Sequence, residues 1–204
     1  MSVDLALVLA VDCSSSVDAG DFKLQMLGIA EAMRNPLFFE GVQAGDDQRI
    51  ALSLVQWSTR NSQHIVIKWR LLSAQAEILQ TATEIASSER IWQLGGTGMA
   101  AAINFCNGLM QRLPTEAKRK VIDVSGDGED NENGDVETAR RLALSQGITI
   151  NGLPIIDGSQ YIESYYRHQV IGGPGSFLVP AANMLAFKDA MTQKLFREIS
   201  PKLA

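Results

Sequence analysis

The chain has few of the residues that staple, ligate or cross-link. Only two cysteines, Cys13 and Cys106, and two histidines, His64 and His168, occur in 204 residues. Two thiols cannot build a disulfide framework; one bridge between them is the most that spacing allows. Neither histidine has a G-x-S-x-G partner, so Ser14, Ser15 and Ser16 do not make a convincing nucleophile set. Long apolar runs are missing as well. The longest is Leu5–Val11, far short of the ~20 residues needed to cross a bilayer, so no membrane span is expected. Basic clusters are also absent: 18 Lys and Arg stand against 23 Asp and Glu, a net charge of −5. Nucleic-acid binding depends on neutralising phosphates, and this balance argues against it. No basic segment and no small-residue cleavage site precede Leu5, so no signal peptide is expected in this sequence.

What is present is an ordinary globular composition, 46% apolar and 20% charged, on a chain long enough for a substantial core. No repeat, low-complexity tract or Pro/Gly linker divides it, so one domain over residues 1–204 is expected. Leu5–Val11 reads as a strand covered on both faces. Phe22, Met26, Ile29 and Met33 follow at helical spacing until Asn35-Pro36 stops them. Ile50–Val55 and His64–Lys68 read as strands joined by a hairpin, Ser58–Ser62, which makes them antiparallel. A helix over about Ala74–Ile85 comes next. Another carries the stripe Met99, Ala102, Ile103, Cys106, Met110 and Leu113, then come a strand at Val121–Val124 and a helix through Val136, Ala139, Leu142 and Ala143. Ile148–Ile156 reads as a strand, Ile162–Val170 as a helix, Phe177–Val179 as a short edge strand, and about Asn183–Ile199 as a closing helix. Such alternation predicts an α/β fold, a Rossmann-like three-layer sandwich. Its central sheet is mostly parallel with one antiparallel edge strand, and helices cover both faces.

In such folds, ligands bind beyond the carboxyl ends of the strands, near the point where strand order reverses. Three loops there carry oxygen chemistry. Asp12-Cys13-Ser14-Ser15-Ser16 follows the first strand and sets a carboxylate and two hydroxyls at alternate positions. Such oxygens suit a hard cation; the plainer alternative is a helix-capping segment. Gly95-Gly96-Thr97-Gly98 puts a hydroxyl at the mouth of a helix, and Ser125-Gly126-Asp127-Gly128 puts a carboxylate at the end of a central strand.

Asp12-x-Ser14-x-Ser16, then Thr97 in a Gly-Gly-Thr loop, then Asp127 before Gly128, resembles the metal-ion-dependent adhesion site of von Willebrand factor type A domains. The likeness runs from Val3 to about Ile199 and is greatest to a bacterial subgroup often found with a secretory leader. It implies a Rossmann-like domain with a metal at the top of the sheet, Mg²⁺ first and Mn²⁺ or Ca²⁺ as alternatives. Ser14 and Ser16 would bind it directly, and Asp12, Thr97 and Asp127 directly or through water. The third loop departs from the family's usual Thr/Ser-Asp-Gly by an extra glycine, Gly126. Two carboxylates leave a divalent ion residual positive charge. The implied function is therefore capture of a protein partner's Asp or Glu carboxylate by a binding module that is not an enzyme, located in the periplasm or outside the cell after loss of a leader.

A competing reading is an enzyme. Asp12 at a strand end, Lys118 or Lys120 before a later strand, and the acidic run Gly126–Asp130 are similar to haloacid-dehalogenase-type phosphatases, with Asp12 as nucleophile. Its weakness is Ser14, where that chemistry needs a second carboxylic acid to protonate the leaving group. Elsewhere, Cys13 and Cys106 read as buried thiols and His64 as an edge-strand surface residue. The acidic residues Glu129, Asp130, Glu132 and Asp135 read as a solvated loop. All three tyrosines fall in Tyr161–Tyr166, beside Arg167. Tyr161, Tyr165 and Arg167 are candidates for a partner-binding surface flanking the metal, while Ile162, Tyr166 and Val170 face the sheet. The alternative is that all three rings simply cover the sheet.

Overall fold

The computed structural model describes residues 2–200, so Met1 and 201–204 at the ends of the predicted domain lie outside it. Five strands form one sheet: β1 (Ser2–Asp12), β2 (Ile50–Trp57), β3 (Gln63–Leu72), β4 (Glu116–Gly126) and β5 (Ile148–Pro154), in the order β3-β2-β1-β4-β5. Parallel pairing joins β2, β1, β4 and β5, and only β3 runs antiparallel, against β2. Strand order reverses between β1 and β4, so the loops leaving those two strands are neighbours at the switch point.

Alternation along β1 divides the core into two. Leu5, Leu7, Leu9 and Val11 point into one apolar layer with α1 (Ala19–Arg34), α2 (Pro36–Gln43), α3 (Gln75–Ala86) and α7 (Phe187–Ile199). Ala6, Val8 and Ala10 point the other way, toward α4 (Met99–Met110), α5 (Val136–Ser145) and α6 (Gln160–Tyr165). This is the three-layer sandwich the alternation predicts. Cys13 lies in the first layer and Cys106 in the second, both free and buried. The sheet stands between them, so no bridge forms. His64 is exposed on β3, as read.

Several elements differ from the sequence reading. Asn35 ends α1 and also starts α2, which sequence periodicity missed: its Oδ1 accepts the Leu37 N–H at 3.1 Å, and Pro36 occupies the first helical position. Strand β4 begins at Glu116, five residues before the predicted Val121, because its first half alternates exposed and covered positions rather than running apolar. Phe177–Val179 is not a strand of the sheet; among the described residues it meets β5 through one isolated bridge, Leu178 with Gly152. The predicted helix at Ile162–Val170 is α6 followed by a π turn, Tyr166–Val170. The closing helix begins with a short 3₁₀ turn, Met184–Ala186, capped by Asn183. Among the described residues no helix is long and apolar enough to cross a membrane.

Candidate functional site

The first strand ends on Asp12, whose side chain is fully buried, and the chain then turns through Ser14 and Ser16 into α1. The Ser14 N–H donates to Asp12 Oδ1 at 2.7 Å. Ser14 Oγ and Ser16 Oγ lie 3.2 Å apart, and Ser16 Oγ donates to Asp127 Oδ1 at 2.7 Å. Ser14, Ser16 and Asp127 therefore form one connected string of oxygens across the β1–β4 switch, and Asp12 joins it through the Ser14 N–H. Thr97 is brought to the same edge. It is buried, and a methyl group built on Gly128 would stand 3.4 Å from its Oγ1. The N-terminus of α1 opens three residues after Ser16, capped by Asp18, whose Oδ1 accepts the Asp21 N–H at 2.8 Å.

The electrostatics are those of a site short of positive charge. Burial, reinforced by the nearby charge of Asp127, raises the Asp12 carboxyl to about 7. Asp12 Oδ2 is buried with no hydrogen-bond partner. Oxygen-only donors, two carboxylates among them, and an orphaned carboxylate oxygen fit a hard divalent cation. Among the described residues no group of three His, Cys, Asp or Glu side chains could hold a metal. That agrees with the donor set here, in which three of the five side chains are hydroxyls.

The loops are held by residues the sequence reading did not single out. Arg90 Nη2 donates to the carbonyls of Cys13 and Ser14 at 3.1 and 2.8 Å, and Gln25 on α1 donates to the Asp12 carbonyl at 3.0 Å. Ser15 Oγ accepts from the Gly95 N–H at 2.8 Å, tying the first loop to the second. The acidic stretch is more than a solvated loop. Asp130 Oδ2 accepts the Ala100 N–H at 3.0 Å and so caps α4, whose own cap position is Gly98. Asn131 clasps the Thr97 backbone both ways, accepting its N–H at Oδ1 (2.7 Å) and donating to its carbonyl (3.0 Å). Gly98 leaves no room for a side chain, since a methyl there would meet the Thr59 carbonyl carbon at 2.7 Å, and one on Gly96 would press on Glu132 and on the Asn131 Oδ1 that holds Thr97. The Gly-rich loop is thus a packed seat for Thr97.

Of the three partner-surface candidates, Tyr161 is exposed and its hydroxyl donates to Glu129 Oε2 at 2.8 Å. Tyr165 is half-buried, with its hydroxyl accepting the Asp130 N–H at 3.1 Å. Arg167 is exposed and paired with Glu163 at 2.6 Å. Ile162, Tyr166 and Val170 are buried against the sheet. The two tyrosines thus lie against the loop that carries Asp127. Beside Ser16 and Asp127 opens a cleft of about 310 Å³, also lined by Asp21, Asp157 and Leu185.

The phosphatase reading fails on position. Lys118 bonds Asp4 and Asp46 at 2.9 and 3.0 Å, at the start of β1. Lys120 is in register with Ala6, six residues before Asp12 and so roughly 20 Å from it along the strand. Neither lysine reaches the carboxylate it would serve.

Solved structures resemble this architecture. Proximal thread matrix protein 1 from the mussel byssus, with a zinc-occupied MIDAS motif, superposes with a TM-score of 0.65 at 15% identity, covering 95% of this chain and 46% of its own. A von Willebrand factor type A protein from Catenulispora acidiphila gives 0.68 at 12% identity, covering 99% and 44%. BatB from Bacteroides thetaiotaomicron gives 0.60 at 18% identity, covering 95% and 98%. The chain spans about half the length of the mussel protein. No curated protein sequence matches it. These likenesses, at low identity, establish the von Willebrand factor type A fold. The sequence itself matches over residues 2–203 the family described as "Protein of unknown function (DUF1194)", and the chain belongs to that family.

Proposed function

We propose that the chain is a divalent-metal-dependent protein-binding module, with Mg²⁺ as the metal and Asp12, Ser14, Ser16, Thr97 and Asp127 as its ligands. The observation that carries the reading is the hydrogen-bonded string Ser14–Ser16–Asp127 beside a buried Asp12 whose second oxygen has no partner. A bound divalent ion supplies a Lewis-acidic centre with residual positive charge, to which a partner's Asp or Glu carboxylate adds the missing anionic oxygen. The chain's own residues do the rest. Asp12 and Asp127 supply negative charge, the hydroxyls supply neutral oxygens, and the α1 N-terminus favours an incoming anion. Arg90 and Gln25 fix the carbonyls that set the loop's path.

Tyr161, Tyr165 and Arg167 belong to the partner surface in this reading, beside Glu129 and Asp130 on the loop after Asp127. The zinc held at the motif of the mussel protein supports a divalent ion here and leaves its identity to competition between Mg²⁺, Mn²⁺ and Ca²⁺. Function in the periplasm or outside the cell is part of this reading, in keeping with the mussel byssus as the source of that neighbour. The module is not an enzyme in this reading. With Ser14 in place of a general acid and both lysines remote, no phosphomonoester turnover is expected. Titration calorimetry of Mg²⁺ and Mn²⁺ into wild type and Asp12→Ala tests the proposal. Binding by the wild type and none by the variant is expected; equal binding by both rejects the ligand assignment.

A further inference from the structure

Leu94 and Leu185 are the most exposed large apolar side chains among the described residues, at 83% and 79%. Both stand at the edge that carries the site. Leu94 precedes Gly95, whose N–H donates to Ser15 Oγ at 2.8 Å. Leu185 lines the cleft of about 310 Å³ that Ser16 and Asp127 border. A single exposed leucine is common on any surface, but Leu185 has company: Leu24 of α1 and Met184 line the same cleft. The 3₁₀ turn that presents Met184 and Leu185 is pinned, since Asn183 Oδ1 accepts the Ala186 N–H at 3.1 Å.

The cleft also carries two carboxylates outside the proposed ligand set, Asp21 and Asp157. Asp21 comes from the first turn of α1. Asp157 follows β5, where the chain turns through left-handed backbone at Asp157 (φ 39°) and Gly158 (φ 84°). The carbonyls of Ala181 and Ala182 hold that turn, accepting the N–H groups of Ile156 and Asp157 at 2.8 and 3.1 Å. Each carboxylate has a local use, Asp21 at a helix N-terminus and Asp157 in a backbone conformation that aspartate tolerates. Neither use requires the two to share a cleft. Burial first, and then the charges of Asp18, Asp127 and Asp157, raise the Asp21 carboxyl, so these acids lie in one another's field. Among the described residues no lysine, arginine or histidine lines the cleft. Apolar lining with negative charge and no internal cation complements one kind of side chain, a long aliphatic stem that ends in a positive charge. A purely apolar occupant would leave the carboxylates unanswered, and a bare metal ion would leave the leucines in water.

We infer that this cleft selects the partner: it takes a lysine or arginine side chain of the same segment whose Asp or Glu reaches the metal. The stem lies against Leu24, Met184 and Leu185, and Asp21 and Asp157 answer the charge. This rests on the reading of the site as one that captures a carboxylate. In an extended segment, residues two apart share a face, so the basic residue stands two positions from the acidic one.

The test is a methyl NMR titration of the full chain in saturating Mg²⁺ with three blocked peptides, Arg-Ala-Glu-Ala-Arg, Leu-Ala-Glu-Ala-Leu and Arg-Ala-Gln-Ala-Arg. The first should shift the methyl signals of Leu24 and Leu185 and bind about fivefold tighter than the second, the scale of an exposed ion pair. Asp21→Asn combined with Asp157→Asn should abolish that preference, and asparagine tolerates the left-handed backbone at 157 as aspartate does. Glu40→Gln combined with Glu116→Gln, an equal change of charge at exposed residues of α2 and the start of β4, should retain it. Equal binding of the two glutamate peptides, a preference that survives the double asparagine variant, or silent Leu24 and Leu185 methyls overturns the cleft assignment alone. Tight binding of the glutamine peptide, or no Mg²⁺-dependent binding of either glutamate peptide, overturns the carboxylate-capture reading and this inference with it.

Discussion

Two buried aspartates in this sheet meet opposite fates. Asp12 ends β1 beside the Tyr166 ring, and Asp123 sits in β4 against α7 on the other face. Burial raises both carboxyls to about 7. Asp123 is answered from within: Lys194 Nζ lies 3.1 Å from its Oδ2 and 3.4 Å from Glu198 Oε1. Asn151 and Arg119 hold Glu198 in turn. Among the described residues Asp12 receives the Ser14 N–H and no cationic side chain, and its Oδ2 has no hydrogen-bond partner. A buried carboxylate is costly in either place. Where the fold provides its own cation, the residue ties a helix to the sheet. Where it does not, the proposed function has the site take its cation from outside.

The comparison is broken most forcefully on the internal side. Lys194→Met leaves Asp123 and Glu198 buried without their cation, and loss of one partner of a buried pair costs about 3–5 kcal/mol. For a chain of this size that is a fall in melting temperature of roughly 10 °C, read by thermal denaturation.

On the open side, Asp12→Ala should leave the metal-free melting temperature near or above that of wild type. It should abolish the stabilisation by metal, which at a hundredfold excess over Kd is about 2.7 kcal/mol. pH sharpens this further. In the metal-free protein, Asp12 keeps its proton to about pH 7, whereas the unfolded chain loses it near its ordinary 3.8. Below that value both states are protonated and nothing changes. As pH rises through the window, the unfolded state is favoured progressively, by ~1.4 kcal/mol per unit, and the effect levels off above about 7. Wild type should therefore lose stability relative to Asp12→Asn between pH 4 and 7 in matched melts.

Smaller effects are expected in the supporting loop. Asp130→Ala removes the α4 cap and the acceptor for the N–H groups of Glu132 and Gly134, a cost of about 1–2 kcal/mol by chemical denaturation. Tyr161→Ser should shift stability by under about 0.5 kcal/mol, since the ring is exposed, its hydroxyl donates to exposed Glu129, and it meets Tyr165 at 6.4 Å between ring centroids. Any loss of partner capture in that variant is then a surface effect. A large fall in its melting temperature would instead make the ring part of the core.

Much of this was legible in the sequence, and the gaps have physical causes. The continuous run Leu5–Val11 announces a doubly covered strand, and oxygen side chains at alternate positions after it mark the candidate site. Lys194 and Glu198 escape such reading because charged residues four apart on a helix look like a solvated face, although both are fully buried. Asp130 and Asn131 escape because they reach across 30 and 34 residues, one to cap α4 and the other to clasp the Thr97 loop. Pro36 reads as a helix stop although it also begins the next helix. Tyr166 is placed on the sheet by periodicity, but the room for its ring depends on two glycines in separate strands, Gly126 and Gly152. Only tertiary structure brings those together.

The most direct test of the central claim is a crystal of the full chain soaked in Mn²⁺, located by anomalous scattering. One strong peak bounded by Asp12, Ser14, Ser16, Thr97 and Asp127, and absent from crystals of Asp12→Ala, is the predicted result. A peak elsewhere, or none at saturating Mn²⁺, would contradict the account.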